Sequence, residues 1–98
     1  MANGKENILP GARLAASQRL SRIEGQVKGI KKMVEEGRYC VEVLGQISAV
    51  QEALRGVGKL IMRNYLENCV TTSLRSGSKK KAGDTYGELM DVIYKFAK

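Results

Sequence analysis

Leu20, Ile23, Val27, Ile30 and Val34 follow one another at intervals of 3, 4, 3 and 4, which lays one apolar stripe along a helix. Arg19, Arg22, Lys28, Lys31 and Lys32 fall between them, so the opposite face reads as strongly basic. The pattern turns helical at Ala12 and predicts a first helix that stops at Gly37. Ahead of it, residues 1–11 read as a flexible arm ending at Pro10-Gly11, and 12–98 as a single domain. Ile47, Val50, Leu54, Val57 and Ile61 repeat the same spacing, with Cys40, Leu44 and Asn68 extending much the same face. This second helix starts within a residue or two of Tyr39, meets no Pro, and finds its next strong stop at Ser76-Gly77. The implied length is roughly 35 residues. Gly45, Gly56 and Gly58 inside it each cost about 1 kcal/mol relative to Ala. They mark close helix–helix approach or a local kink. "SGSKKKAG" reads as a polar loop, and a last helix over 85–97 has Leu89, Val92, Ile93 and Phe96 as its buried face. No repeat and no strand-like alternation interrupts this picture: the fold class is all-α, three helices per chain.

A chain of 98 residues makes one domain with a thin core, for which oligomerisation is a common remedy. Its net charge of +7 is concentrated at the front, where residues 1–38 carry eight basic and four acidic side chains. A pI near 9.7 with charge gathered on one element is the footprint of a nucleic-acid binder. The candidates are Arg19 and Arg22, extended by Lys28, Lys31 and Lys32, with Gln26 in support and Arg55 and Lys59 on the second helix. Such residues grip phosphates more than they read bases. The opening "MANGKENILPGARLAAS" has no apolar signal core and no run reaches membrane-spanning length, so a cytoplasmic protein is expected, with no membrane partner. Thiols stay reduced there. No carboxylate pair, glycine-rich phosphate loop or Cys–His arrangement suggests an enzyme.

The chemistry available to the chain is two cysteines, Cys40 and Cys69, and no histidine at all. On one continuous helix they stand roughly 43 Å apart at 1.5 Å rise per residue. Neither a disulfide nor a shared metal spans such a gap. They meet only across a subunit boundary, where antiparallel pairing of two second helices about a two-fold brings Cys40 of one copy to Cys69 of the other. The plain alternative is that both are inert core residues. Cys40 opens its helix, where the macrodipole favours a thiolate, and Arg38 lies nearby. It is therefore the expected attacking thiol.

"RLSRIEGQVKGIKKMVEEGRYC", "VLGQISAVQEAL" and "YLENCV" together resemble the CsoR/RcnR family of bacterial repressors, over residues 13–98. The resemblance implies an antiparallel four-helix-bundle dimer that assembles into a disc-shaped homotetramer. It also implies binding to operator DNA through a broad basic face, with release when an inducer reacts at the cysteine site. Copper sensors of the family hold Cu(I) with Cys, His and Cys. Cys40 and Cys69 match the two thiol positions, whereas the histidine position is Tyr65. Nickel and cobalt members need several histidines. Formaldehyde sensors pair the first Cys with an N-terminal proline, and residue 2 here is Ala. Persulfide-sensing members keep both cysteines without the histidine, which is the pattern here. Tyr39 matches a family tyrosine. Glu88 matches a glutamate that hydrogen-bonds the ligand site, provided that "SKKKAG" holds about three extra residues in the family frame.

The expectation is thus a repressor released by persulfide or polysulfide at an inter-subunit Cys40–Cys69 pair, needing no cofactor. A sulfane-sulfur donor makes a persulfide on Cys40, and Cys69 of the partner resolves it. The alternative is a Cu(I)-responsive repressor with an altered Cys-Tyr-Cys site, since two thiolates suit a soft ion and a phenol is a poor third ligand. A further alternative is a small thiol or copper carrier that does not bind DNA.

Overall fold

A computed structural model describes residues 7–96, and in it the described residues form helices and no strand. Helix α1 is Pro10–Glu35, α2 is Cys40–Asn64, a π-helical turn covers Tyr65–Val70, α3 is Thr71–Arg75 and α4 is Lys79–Phe96. The run from α2 through α3 contains no non-helical residue and is the long second helix that the spacing predicts. Residues 1–6 of the expected arm, and Ala97 at the end of the last helix, lie outside the described residues.

Two compact units divide the chain, one being Leu9–Met62 and the other including the residues from Arg63 onward. In the first, α1 begins two residues earlier than the apolar pattern implies. Pro10 sits in its first turn, where a fixed φ is pre-set for helix and the missing N–H is no loss. Its end is a Schellman motif. Gly37 takes φ +68°, its N–H donates to the Val34 carbonyl at 3.1 Å, and the Arg38 N–H donates to Met33 at 3.0 Å. Tyr39 then offers its carbonyl to the N–H groups of Glu42 and Val43, at 3.0 and 3.2 Å, and α2 is under way.

Ala16, Ile23, Val50 and Val57 are the buried core of this α1–α2 hairpin, with Ile30, Ala53, Leu60 and Ile61 packed around them. Each Ile or Val so buried contributes about 1.5–3 kcal/mol. Both helices thus use positions seven apart, and only half of each predicted stripe is covered. Leu20, Val27, Val34, Leu44, Ile47 and Leu54 remain exposed, and so does Cys40. The physical reason is that a two-helix seam is narrower than the stripe either helix carries. Within the chain Gly45 marks no close approach between helices, for a Cβ there would meet nothing within 4 Å. A Cβ on Gly56 would lie 3.7 Å from Arg19 Nη1.

In the second unit the helical run changes pitch at the π turn. The Thr71 N–H reaches back five residues to the Leu66 carbonyl, which also accepts from Thr71 Oγ1 at 2.9 Å. Asn68 Nδ2 donates to the Asn64 carbonyl at 3.1 Å. These side chains serve carbonyls that a widened turn leaves poorly matched. The stop after Arg75 falls where expected, and Gly77 takes φ +79°. The "SKKKAG" stretch is not a loop. Ser78 Oγ accepts the Lys81 N–H at 3.2 Å and starts α4 six residues before Thr85. Of the face expected to be buried on this helix, Leu89 and Val92 are half-buried, while Ile93 and Phe96 are exposed.

Candidate functional site

Cys69 is buried within the π turn, four residues after Tyr65, and Tyr65 is itself half-buried. The Tyr65 hydroxyl donates to Glu88 Oε1 at 2.7 Å, tying the π turn to α4 across 23 residues of sequence. An ionised acceptor makes this bond stronger than a neutral pair. Asn64, the residue before Tyr65, is a buried polar side chain, and its Oδ1 lies 3.5 Å from Asn68 Nδ2. Tyr65, Cys69 and Glu88, expected as site residues, all lie in this unit. Asn64, Asn68 and Thr71 were not expected at the site, and their polar side chains in a helical run are the available signal for a local break in register.

Cys40 and Tyr39 belong to the other unit. Cys40 is the first residue of α2 and is exposed, and Tyr39 just before it is exposed as well. No disulfide joins the two cysteines within the chain. The expected assistance from Arg38 is weaker than its position suggests. Its guanidinium lies 3.3 Å from Glu42 and 4.0 Å from Glu36, so two carboxylates already share the charge. Among the described residues no three His, Cys, Asp or Glu side chains gather in a way that would hold a metal. A single chain therefore offers two separate thiols and no ready-made cage.

On α1 the DNA candidates do not share one stripe. At about 100° per residue, Arg19 and Gln26 border the buried Ala16–Ile23–Ile30 line, Lys28 and Lys32 lie opposite it, and Arg22 and Lys31 flank it on either side. Positive charge therefore wraps around α1. Gln26 is half-buried, while Arg19, Arg22, Lys28, Lys31 and Lys32 are exposed. Arg55 and Lys59 are exposed on α2. Arg55 is held by Glu52 at 2.8 Å and Lys32 approaches Glu36 at 4.0 Å. Both pairs are solvent-exposed, where such contacts are weak enough to yield to a phosphate.

Residues 13–95 match the family described as metal-sensitive transcriptional repressor. The copper-sensing transcriptional repressor CsoR of Bacillus subtilis is 46% identical over 82 residues, covering 84% of this chain and 78% of that protein. The copper-sensing repressor RicR of Mycobacterium tuberculosis is 49% identical over 61 residues, covering 62% of this chain and 64% of its own length. Among solved structures, the copper-sensing repressor CsoR with Cu(I) from Geobacillus thermodenitrificans superposes with a TM-score of 0.79 at 44% identity, covering 100% of this chain and 94% of that one. The nickel-responsive regulator InrS gives 0.69 at 33% identity, covering 98% and 99%. The chain belongs to the metal-sensitive transcriptional repressor family, which is a family of repressors and not of enzymes. No described helix is long and apolar enough to cross a membrane.

Proposed function

We propose that this repressor binds operator DNA as a homo-oligomer and releases it when Cu(I) is held between Cys40 of one protomer and Cys69 of its partner. What supports this reading is the pair of thiols at the two ends of one long helical run, in a chain similar to copper-sensing relatives. Thiolates are soft donors, and two of them hold Cu(I) in linear coordination. The preference for reactive sulfur drawn from the missing histidine gives way here to the copper-sensing relatives.

The sulfur reading stays as the second one because of one observation. The residue that would complete a three-ligand copper set is Tyr65, whose hydroxyl is engaged by Glu88. Sulfur chemistry needs only the thiols. A sulfane-sulfur donor would transfer one sulfur atom to the Cys40 thiolate, and the partner's thiolate would displace hydrosulfide to leave a disulfide.

The test is release of labelled operator DNA by stoichiometric Cu(I) and, separately, by polysulfide. Under the copper reading Cu(I) weakens binding about 5- to 150-fold, the usual range of coupling between sites. Cys40→Ala and Cys69→Ala should each abolish that release while binding DNA as the wild type does. Release by polysulfide with no response to Cu(I) assigns the site to sulfur instead. A protein that takes up Cu(I) or sulfur but never binds DNA is a carrier.

A further inference from the structure

The first turn of α4 carries Lys79, Lys80 and Lys81 and no acidic residue. The N-terminal end of a helix bears partial positive charge, so cations placed there work against the fold. Only Lys80 has a carboxylate close by, Asp84 at 3.8 Å, and both side chains are largely in solvent. Among the described residues Arg75, Lys79 and Lys81 make no ion pair. Residues 75–84 thus present four positive charges, Arg75 and Lys79 to Lys81, against the single negative charge of Asp84.

This corner is held in a fixed shape. Gly77 makes the reversal with φ +79°. Ser76 Oγ donates to the Ser73 carbonyl at 2.7 Å and accepts from the Ser78 N–H at 3.2 Å. Ser73 Oγ donates to the Lys81 carbonyl at 3.2 Å and is hydrogen-bonded to the Thr85 hydroxyl. The charges are therefore carried on a braced corner between α3 and α4, and apart from the exposed Lys80–Asp84 pair no ion pair among the described residues uses them.

We propose that Arg75 and the Lys79–Lys81 run form a second DNA-contacting surface that grips backbone phosphates. The proposal rests on the reading of the chain as a DNA-binding repressor. Duplex DNA presents one negative charge per about 1.7 Å of helix axis, which complements a tight cluster of cations. Three successive lysines point to three directions around the helix end. That arrangement suits a string of phosphates and not the edges of one base pair. Binding also neutralises cations that the helix dipole disfavours, so the partner relieves what the fold leaves uncompensated. The contribution is to affinity and not to sequence choice.

The test compares the wild type with a Lys79→Gln, Lys80→Gln, Lys81→Gln triple variant and a Lys95→Gln control by fluorescence anisotropy over a series of salt concentrations. Gln is as good a helix former as Lys, and removing N-terminal cations leaves α4 at least as stable by circular dichroism. The triple variant should bind operator and scrambled duplexes equally more weakly. Its plot of log K against log salt should be shallower by about 1–3 per engaged chain, since each lost phosphate contact removes about 0.9. Lys95→Gln should keep the wild-type slope. A folded triple variant with the wild-type slope overturns the proposal and leaves the DNA-binding reading standing. A wild type that binds neither duplex overturns both.

Discussion

The Tyr65 hydroxyl donates to Glu88 at 2.7 Å, at the position where the family resemblance implies histidine in copper sensors. A phenol is a hydrogen-bond donor at neutral pH and a hard oxygen ligand, so it fits a carboxylate better than a soft metal ion. Two substitutions separate these roles. Tyr65→Phe removes the hydroxyl and with it the bond to Glu88, and should cost about 0.5–1.5 kcal/mol in urea unfolding, with Cu(I)-driven release unchanged. Tyr65→His supplies a nitrogen donor beside Cys69. It should lower the Cu(I) concentration needed for half-release by about tenfold, within the usual range of coupling between sites. If wild type, Phe and His variants all respond to Cu(I) alike, the position takes no part in sensing.

The elements owe their ends to single residues. Gly37 closes α1 with a left-handed backbone that costs other residues about 1–2 kcal/mol. Ser78 opens α4 by accepting the Lys81 N–H, and loss of such a cap costs about 1 kcal/mol. Gly37→Ala and Ser78→Ala should therefore each lower the unfolding free energy by these amounts, read as a lower urea midpoint with an unchanged slope. Stability equal to wild type in Gly37→Ala would mean that the hairpin closes without the Schellman geometry. The π turn is the third such feature, sited where Cys69 is buried and braced by Thr71 and Asn68. Widened turns of this kind recur at functional sites in helices.

At the scale of the whole molecule, the α1–α2 hairpin leaves a second line of apolar side chains uncovered. Val34, Leu44 and Val41 are each more than 60% exposed, and Leu20, Val27 and Leu54 are above 39%. A small domain rarely leaves so much apolar surface in water. We propose that further copies of the chain cover it, as dimer and then tetramer. Light scattering at micromolar concentration should report four chains, and Val27→Glu with Leu44→Glu should yield a smaller, still helical species. A wild type that is monomeric under those conditions would sink the assembly, and with it an inter-subunit cysteine site.

Helix type, the two long helices and most of their ends were legible in the sequence because helix formation is local. A 3, 4, 3, 4 spacing, a glycine at Gly37 and a Ser-Gly pair at 76–77 act within one or two turns of themselves. Two boundaries moved for equally local reasons, Pro10 being tolerated in a first turn and Ser78 outweighing the lysine run as a start signal. The two candidate thiols could be named because Cys40 and Cys69 are the only cysteines in the chain. Burial was not legible. Periodicity identifies an apolar stripe but not the half of it that a neighbouring helix will cover, so Ile23 is buried while Val27, four residues on, is not. The Tyr65–Glu88 bond was not legible either, because it joins residues 23 apart and only packing decides which carboxylate the hydroxyl meets. The charge-sharing around Arg38 is by contrast local, Glu42 lying one helical turn on.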